Sequence, residues 1–152
     1  MAVRTLIQLM ETSAERFADE IYLLEKPDDQ YEGTTYGETR IQVHRFAAGL
    51  LALGVKRGDR IALISEGRNA WVIAELGIFY TGAINVPISV KINEANELKF
   101  RLAHSGCRMA VVSRNQASKV EAIKRDLPDL ETIILLDGEA TDDEELAVSY
   151  TH

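Results

Sequence analysis

The sequence predicts an α/β fold: a parallel, helix-covered sheet of about four strands, preceded by an N-terminal helix and a short β-hairpin. Three observations predict it. The short apolar runs Ile61 to Ile64, Ile84 to Ile88, Met109 to Ser113 and Thr132 to Leu136 lack the alternation of a half-exposed strand, so they read as strands covered on both faces. Segments with apolar residues at helical spacing separate these runs. Gly54, Gly82, Gly106 and Pro128 then close the helical segments. Such alternation implies right-handed crossovers. With the strands in the order 2-1-3-4, a ligand crevice lies beyond the carboxyl ends of the first and third.

From the N-terminus, Leu6, Leu9, Met10, Ser13 and Phe17 predict an amphipathic helix from about Thr5 to Ala18. Ile21 to Glu25 and Gln30 to Thr34 flank Pro27, Asp28 and Asp29, a turn signal that makes them a hairpin. The run Thr35-Tyr36-Gly37-Glu38 fits a capping box, in which hydroxyl and carboxylate satisfy each other's backbone donors and start a helix. Val43, Phe46, Ala47, Leu50 and Leu51 give that helix one apolar face. Gly49 within it costs about 1 kcal/mol relative to Ala, which implies a close backbone contact.

Asn69 is placed to cap a further helix, and between Ala70 and Tyr80 only Glu75 is charged, so this helix is buried nearly all round. Pro87 cannot donate to a ladder and belongs at a strand's end. Asn93 is placed to cap a helix through Ala95, Leu98 and Leu102, and Gln116 to Leu127 forms the last helix. Residues 1–136 thus read as one unit, with the helix and hairpin in 1–36 and the β/α units in 37–136. Residues 137–152 read as an acidic tail or the start of a connecting helix, cut short.

Hydrophobic residues make up 46% and charged residues 27% of the 152, the balance of a globular chain. The formal charge of -7 is unevenly placed. Six acids and no Lys or Arg fall between Asp137 and His152, which leaves the preceding residues close to neutral. A basic nucleic-acid stripe is therefore excluded. The single Cys107 excludes an internal disulfide and a cysteine-based metal site, and is expected to fill space beside a strand. Cysteine usage fits a reducing compartment, no run approaches the ~18 residues of a transmembrane segment, and no signal pattern opens the chain. The expectation is a cytoplasmic protein. Apolar surface left exposed on such a unit would permit a homodimer.

The expected crevice collects Ser65, Glu66, Arg68 and Asn69 after the first strand, Ser89 and Lys91 after the second, and Ser113, Arg114 and Asn115 after the third. A helix N-terminus at Asn69 or Asn115 offers free amides to an anion. No catalytic or metal constellation accompanies them. Neither GxGxxG nor GxxxxGK occurs, and Ser65 with Gly67 is only half of a nucleophile elbow, because Leu63 replaces the preceding glycine. His44 and His104 have no partner at metal-ligand spacing. Gly33-Thr34-Thr35 is a fragment of a phosphate loop at most, since Thr35 serves better as a cap, and Trp71 on its apolar helix reads as core.

The run Gly54-Val55-Lys56-Arg57-Gly58-Asp59-Arg60-Ile61-Ala62-Leu63, then Asn69, Trp71, Ile73, Ala74 and Glu75, then Gly82-Ala83-Ile84-Asn85-Val86-Pro87-Ile88, resembles the N-terminal segment of the adenylate-forming (AMP-binding) enzymes. The long-chain fatty acid:CoA ligase (acyl-CoA synthetase) branch is most similar, and Thr35-Tyr36-Gly37-Glu38 resembles the family's first helix start. The resemblance implies the first part of an acyl-CoA synthetase N-terminal domain. It implies an enzyme that uses ATP and Mg2+ to convert a fatty acid into an acyl-adenylate, releases pyrophosphate, and forms a CoA thioester.

The family's Ser/Thr/Gly-rich phosphate loop, Tyr-Gly-x-Thr-Glu motif, Thr-Gly-Asp motif and C-terminal-domain lysine have no counterpart here. The chain is thus expected to be a scaffold, inactive alone, to hold no cofactor by itself, and to have the remainder of the enzyme as its partner. Ala70 stands where an acid is common and Ser89 where an aromatic is common, which leaves the acyl chain length unread. Some relatives bring the CoA nucleotide near the loops after the second and third strands, which makes Lys91, Arg114 and Lys119 candidate phosphate contacts. The alternative is a self-contained flavodoxin-like or receiver-like regulatory or interaction module. A receiver, however, carries acids at its strand ends, and the third strand here ends in Ser113.

Overall fold

The computed structural model describes residues 5–137, so the acidic segment after Asp137 lies outside the described residues. Helix α1 (Leu6–Arg16) opens with a capping box that the sequence reading missed. The Gln8 amide donates to Thr5 Oγ1 at 3.1 Å, and the Thr5 amide donates to Gln8 Oε1 at 3.0 Å. Strands β1 (Ile21–Glu25) and β2 (Glu32–Thr35) form the expected antiparallel hairpin, with Glu25 opposite Glu32. Helix α2 (Tyr36–Ala52) then starts at the predicted box, where Glu38 N donates to Thr35 Oγ1 and Thr35 N donates to Glu38 Oε2.

The remaining elements alternate as predicted. They are β3 (Arg60–Ile64), α3 (Asn69–Tyr80), β4 (Ile84–Pro87), α4 (Ala95–Ser105), β5 (Met109–Val112), α5 (Arg114–Ile123), a 3-10 turn (Lys124–Asp126) and β6 (Thr132–Leu135). All four strands run parallel in the order β4-β3-β5-β6, the 2-1-3-4 order expected from sequence. The missing alternation now has its physical cause. Ile61, Leu63, Met109 and Val111 face one core with Leu50, Ala74 and Ile78 from α2 and α3. Ala62, Ile64, Ala110 and Val112 face a second core with Leu98, Leu102 and Val120 from α4 and α5. Both faces are covered, so both sets must be apolar.

α3 has no exposed residue, and it approaches α2 closely at Gly77, where an added Cβ would lie 2.6 Å from Phe46 Cδ1. Pro87 sits on β4, at the sheet's edge, where its missing N–H breaks no ladder. Trp71 packs against the first core and Cys107 is buried, both as expected.

Three local expectations are corrected. Asn69 is already the first helical residue of α3, after an extended Arg68 with no side-chain cap, and Glu94 rather than Asn93 precedes α4. Packing of apolar faces stabilises these helix starts without a cap. The last helix begins at Arg114, because the chain turns directly out of β5 at Ser113, and tightens to a 3-10 turn ahead of Pro128.

Candidate functional site

Parallel strands that all leave the sheet at one end deliver their following loops to a common surface. Here the loops after β3, β5 and β6 meet around Glu66. Gln116, in the first turn of α5, donates from Nε2 to Glu66 Oε1 at 2.6 Å, and Arg68 Nη2 lies 3.4 Å from Glu66 Oε2. Arg68 also pairs through Nη1 with Asp137, which follows β6, so one guanidinium spans the carboxyl end of β5. Asp137 in turn accepts from the Arg114 amide, and Arg114 Nη2 donates to the Asp137 carbonyl at 3.3 Å.

The electrostatics follow from this geometry. Glu66 is held down at about 2, first by the adjacent Ser113 hydroxyl and next by the Gln116 amide, against the opposing effect of burial. The Ser113 hydroxyl is fully buried and makes no hydrogen bond of ordinary length and angle, so it acts on Glu66 as a close dipole. Ser65 turns its hydroxyl onto the Glu66 carbonyl at 3.0 Å. Neither serine has a histidine among its hydrogen-bond partners, and Glu66 at this pKa is a poor general base. The set is an ionised positioning network.

One of the free amides expected near Asn115, that of Arg114, is therefore taken. The start of α5 receives the chain's own Asp137 carboxylate, which satisfies the Arg114 donor and complements the helix dipole. Sequence reasoning named Glu66, Arg68, Ser113 and Arg114 but missed Gln116 and Asp137. Asp137 stands two residues past an apolar strand, the offset of Glu66 after β3 and of Arg114 after β5, and that offset was the available signal.

The three candidate phosphate contacts divide. Lys119, half-buried on α5, donates from Nζ to the Val90 carbonyl at 3.0 Å, which brings it beside Lys91 in the loop after β4. Lys91 is exposed, and its ammonium forms no ion pair among the described residues. Arg114 is drawn instead toward the β6 end by Asp137. His44 pairs with Glu11 and His104 stacks on Phe100, so neither lies at this end of the sheet. Among the described residues no group of three or more His, Cys, Asp or Glu side chains is arranged to hold a metal, and no helix is long and apolar enough to cross a membrane.

Comparison with known proteins bears on this geometry. Residues 10–151 match a family described as AMP-binding enzyme. The chain is 31% identical over 137 residues to the medium/long-chain-fatty-acid–CoA/3-oxocholest-4-en-26-oate–CoA ligase of Mycolicibacterium smegmatis, covering 90% of this chain and 24% of that protein. It is 35% identical over 78 residues to a chloroplastic long-chain-fatty-acid–(acyl-carrier-protein) ligase of Arabidopsis thaliana, covering 51% of this chain and 11% of that one. The N-terminal domain of FACL13 from Mycobacterium tuberculosis superposes with a TM-score of 0.80 at 24% identity, over 88% of this chain and 34% of that chain, which establishes a shared fold. The chain thus spans about a quarter of the M. smegmatis relative's length. These matches do not favour the flavodoxin-like or receiver-like alternative.

Proposed function

Because this chain belongs to the AMP-binding enzyme family, we propose that it forms the first α/β section of an ATP-dependent acyl-CoA ligase acting on a fatty acid. In that enzyme ATP and Mg2+ convert the carboxylate into an acyl-adenylate with loss of pyrophosphate, and CoA then takes the acyl group as a thioester. The observation that carries the reading is the β4-β3-β5-β6 unit, whose segment resembles a fatty-acid–CoA ligase over 90% of this chain.

The section's own residues do mechanical work. The Glu66, Arg68, Gln116 and Asp137 network locks three loops at the carboxyl end, so that neighbouring sequence meets a rigid surface. Departure of pyrophosphate needs preorganised positive charge, and Arg68 is neutralised by two carboxylates. Adenylation is therefore assigned to residues outside this chain, and the 152 residues alone are expected to be inactive. Lys91 and Lys119 fit one CoA phosphate beside the β4 loop, where the ammonium of Lys91 is free of ion pairs among the described residues. Arg114 would join them by leaving the Asp137 carbonyl. A cytoplasmic location belongs to the same reading and rests on the single cysteine. Dimerisation through exposed side chains such as Leu6, Leu9 and Leu24 belongs to it as well.

A chimera tests this reading. With this chain in place of the matching quarter of the M. smegmatis ligase, Lys91→Ala and Lys119→Ala should each raise the KM for CoA by about 3- to 10-fold. Fatty-acid-dependent pyrophosphate release should stay unchanged. An unaltered KM for CoA would remove the lysines from the thioester step. A chimera that transfers acyl groups to acyl-carrier protein and not to CoA would replace the acceptor.

A further inference from the structure

Among the described residues, one carboxylate gathers every side-chain hydrogen bond and ion pair that α1 makes with α2 and α3. Glu11 Oε1 accepts from the Tyr80 phenol of α3 at 2.5 Å and lies 2.8 Å from His44 Nε2 of α2. Its other oxygen is 3.5 Å from Arg40 Nη1, also of α2. The His44 and Tyr80 rings meet edge to face at 5.0 Å, which fixes both donors against the same oxygen. The apolar anchorage of α1 is slight by comparison. Only Met10 and Ala14 are buried, while Leu6 and Leu9 are 57% and 51% exposed.

Glu, His and Tyr around one point also suggest a cation, but the Arg40 guanidinium brings positive charge to the same carboxylate. The chemistry is that of a clasp. We propose that Glu11 is an acid-sensitive clasp, through which α1 is held on α2 and α3 and from which it detaches while the parallel sheet stays folded.

The charge state supports the geometry. Burial raises the Glu11 carboxyl, but the hydrogen bonds from Tyr80 and His44 and the charges of His44 and Arg40 outweigh it and hold the group below its ordinary 4.5. Burial, followed by the Glu11 contact, pushes the Tyr80 phenol well above its ordinary range, so it remains a donor. A carboxylate depressed in the folded state contributes docking free energy above its ordinary pKa. That contribution is lost as pH falls through the lowered native value.

Hydrogen exchange across the intact chain tests the clasp. At pH 7, Glu11→Gln should speed exchange of the α1 amides by about tenfold, with the β3 and β5 amides unchanged. Tyr80→Phe, which removes one donor and keeps the ring, should give about threefold. As pH falls below 4.5, the difference between the native chain and Glu11→Gln should close, because the native carboxylate becomes neutral too. Unchanged α1 exchange in both variants would overturn the proposal. So would equal acceleration of α1 and the sheet, which would make Glu11 part of the global stability instead of a local clasp.

Discussion

Ion pairs tie loops together at both ends of the parallel sheet, but the two ends differ in backbone conformation and in the charge they leave unpaired among the described residues. At the amino end the charges close loops: Arg108 donates to the Gly54 carbonyl at 2.9 Å, to Asp59 at 2.8 Å and to Glu131 at 2.8 Å. Asp59 is lowered first by the Lys56 amide and then by Arg108, while Arg108 is raised by Glu131 and then Asp59. The left-handed glycines among the described residues all sit in helix-to-strand turns at this end. At the carboxyl end no described glycine adopts that conformation, and Lys91 is left without an ion pair among the described residues. The amino end is closed by left-handed turns, while the carboxyl end has none among the described residues and leaves the Lys91 side chain exposed.

The strongest break in that contrast would come from backbone substitutions. Gly82, at φ +76°, has Arg57 Cγ only 3.2 Å from where a Cβ would fall, so Gly82→Val should cost about 2–3 kcal/mol in urea unfolding. Gly106, at φ +64°, ends α4 in the left-handed conformation, and Gly106→Ala should cost about 1–2 kcal/mol. At the carboxyl end Gly67 has open space around its Cβ position, and Gly67→Ala should stay within about 0.5 kcal/mol. Similar losses at Gly82 and Gly67 would erase the distinction.

Glu66→Gln should have a smaller effect, about 1 kcal/mol once solvent screening of its partly exposed carboxyl is allowed for. Its sign is fixed. Because the folded value, about 2, lies below the ordinary 4.5, the native chain gains this stability above pH 4.5 and loses it as pH falls toward 2. A stability difference between native and Glu66→Gln that grew on acidification would contradict the assigned partners. Smallest of all, Lys91→Ala should leave unfolding unchanged within about 0.5 kcal/mol, since nothing in the described fold depends on its ammonium.

The same contrast explains what was legible in the sequence. Ile61 to Ile64 and Met109 to Val112 reveal a two-faced buried sheet because burial on both faces forbids alternation. Thr35 and Glu38 reveal a helix start because a capping box is local, closing over three residues. Strand ends point to the right surface, yet Asp137 capping α5 joins residues 23 apart, and Gln116 meets Glu66 across 50. Strand order brings such partners to one end of the sheet, but which of them touch depends on loop and side-chain geometry that no local rule specifies. Asn69 and Asn93 were misread as caps for the converse reason: their residue type fits a local rule that packing made unnecessary.

In the proposed function this α/β section supports an adenylating site without supplying its reacting groups. Titration calorimetry of Mg2+-ATP into the folded 152-residue chain, followed by an assay for acyl-adenylate with a fatty acid added, tests it most directly. No saturable heat and no adenylate are expected, from a chain whose circular dichroism shows the α/β fold intact. One-to-one binding of ATP with formation of acyl-adenylate by these residues alone would contradict that proposal.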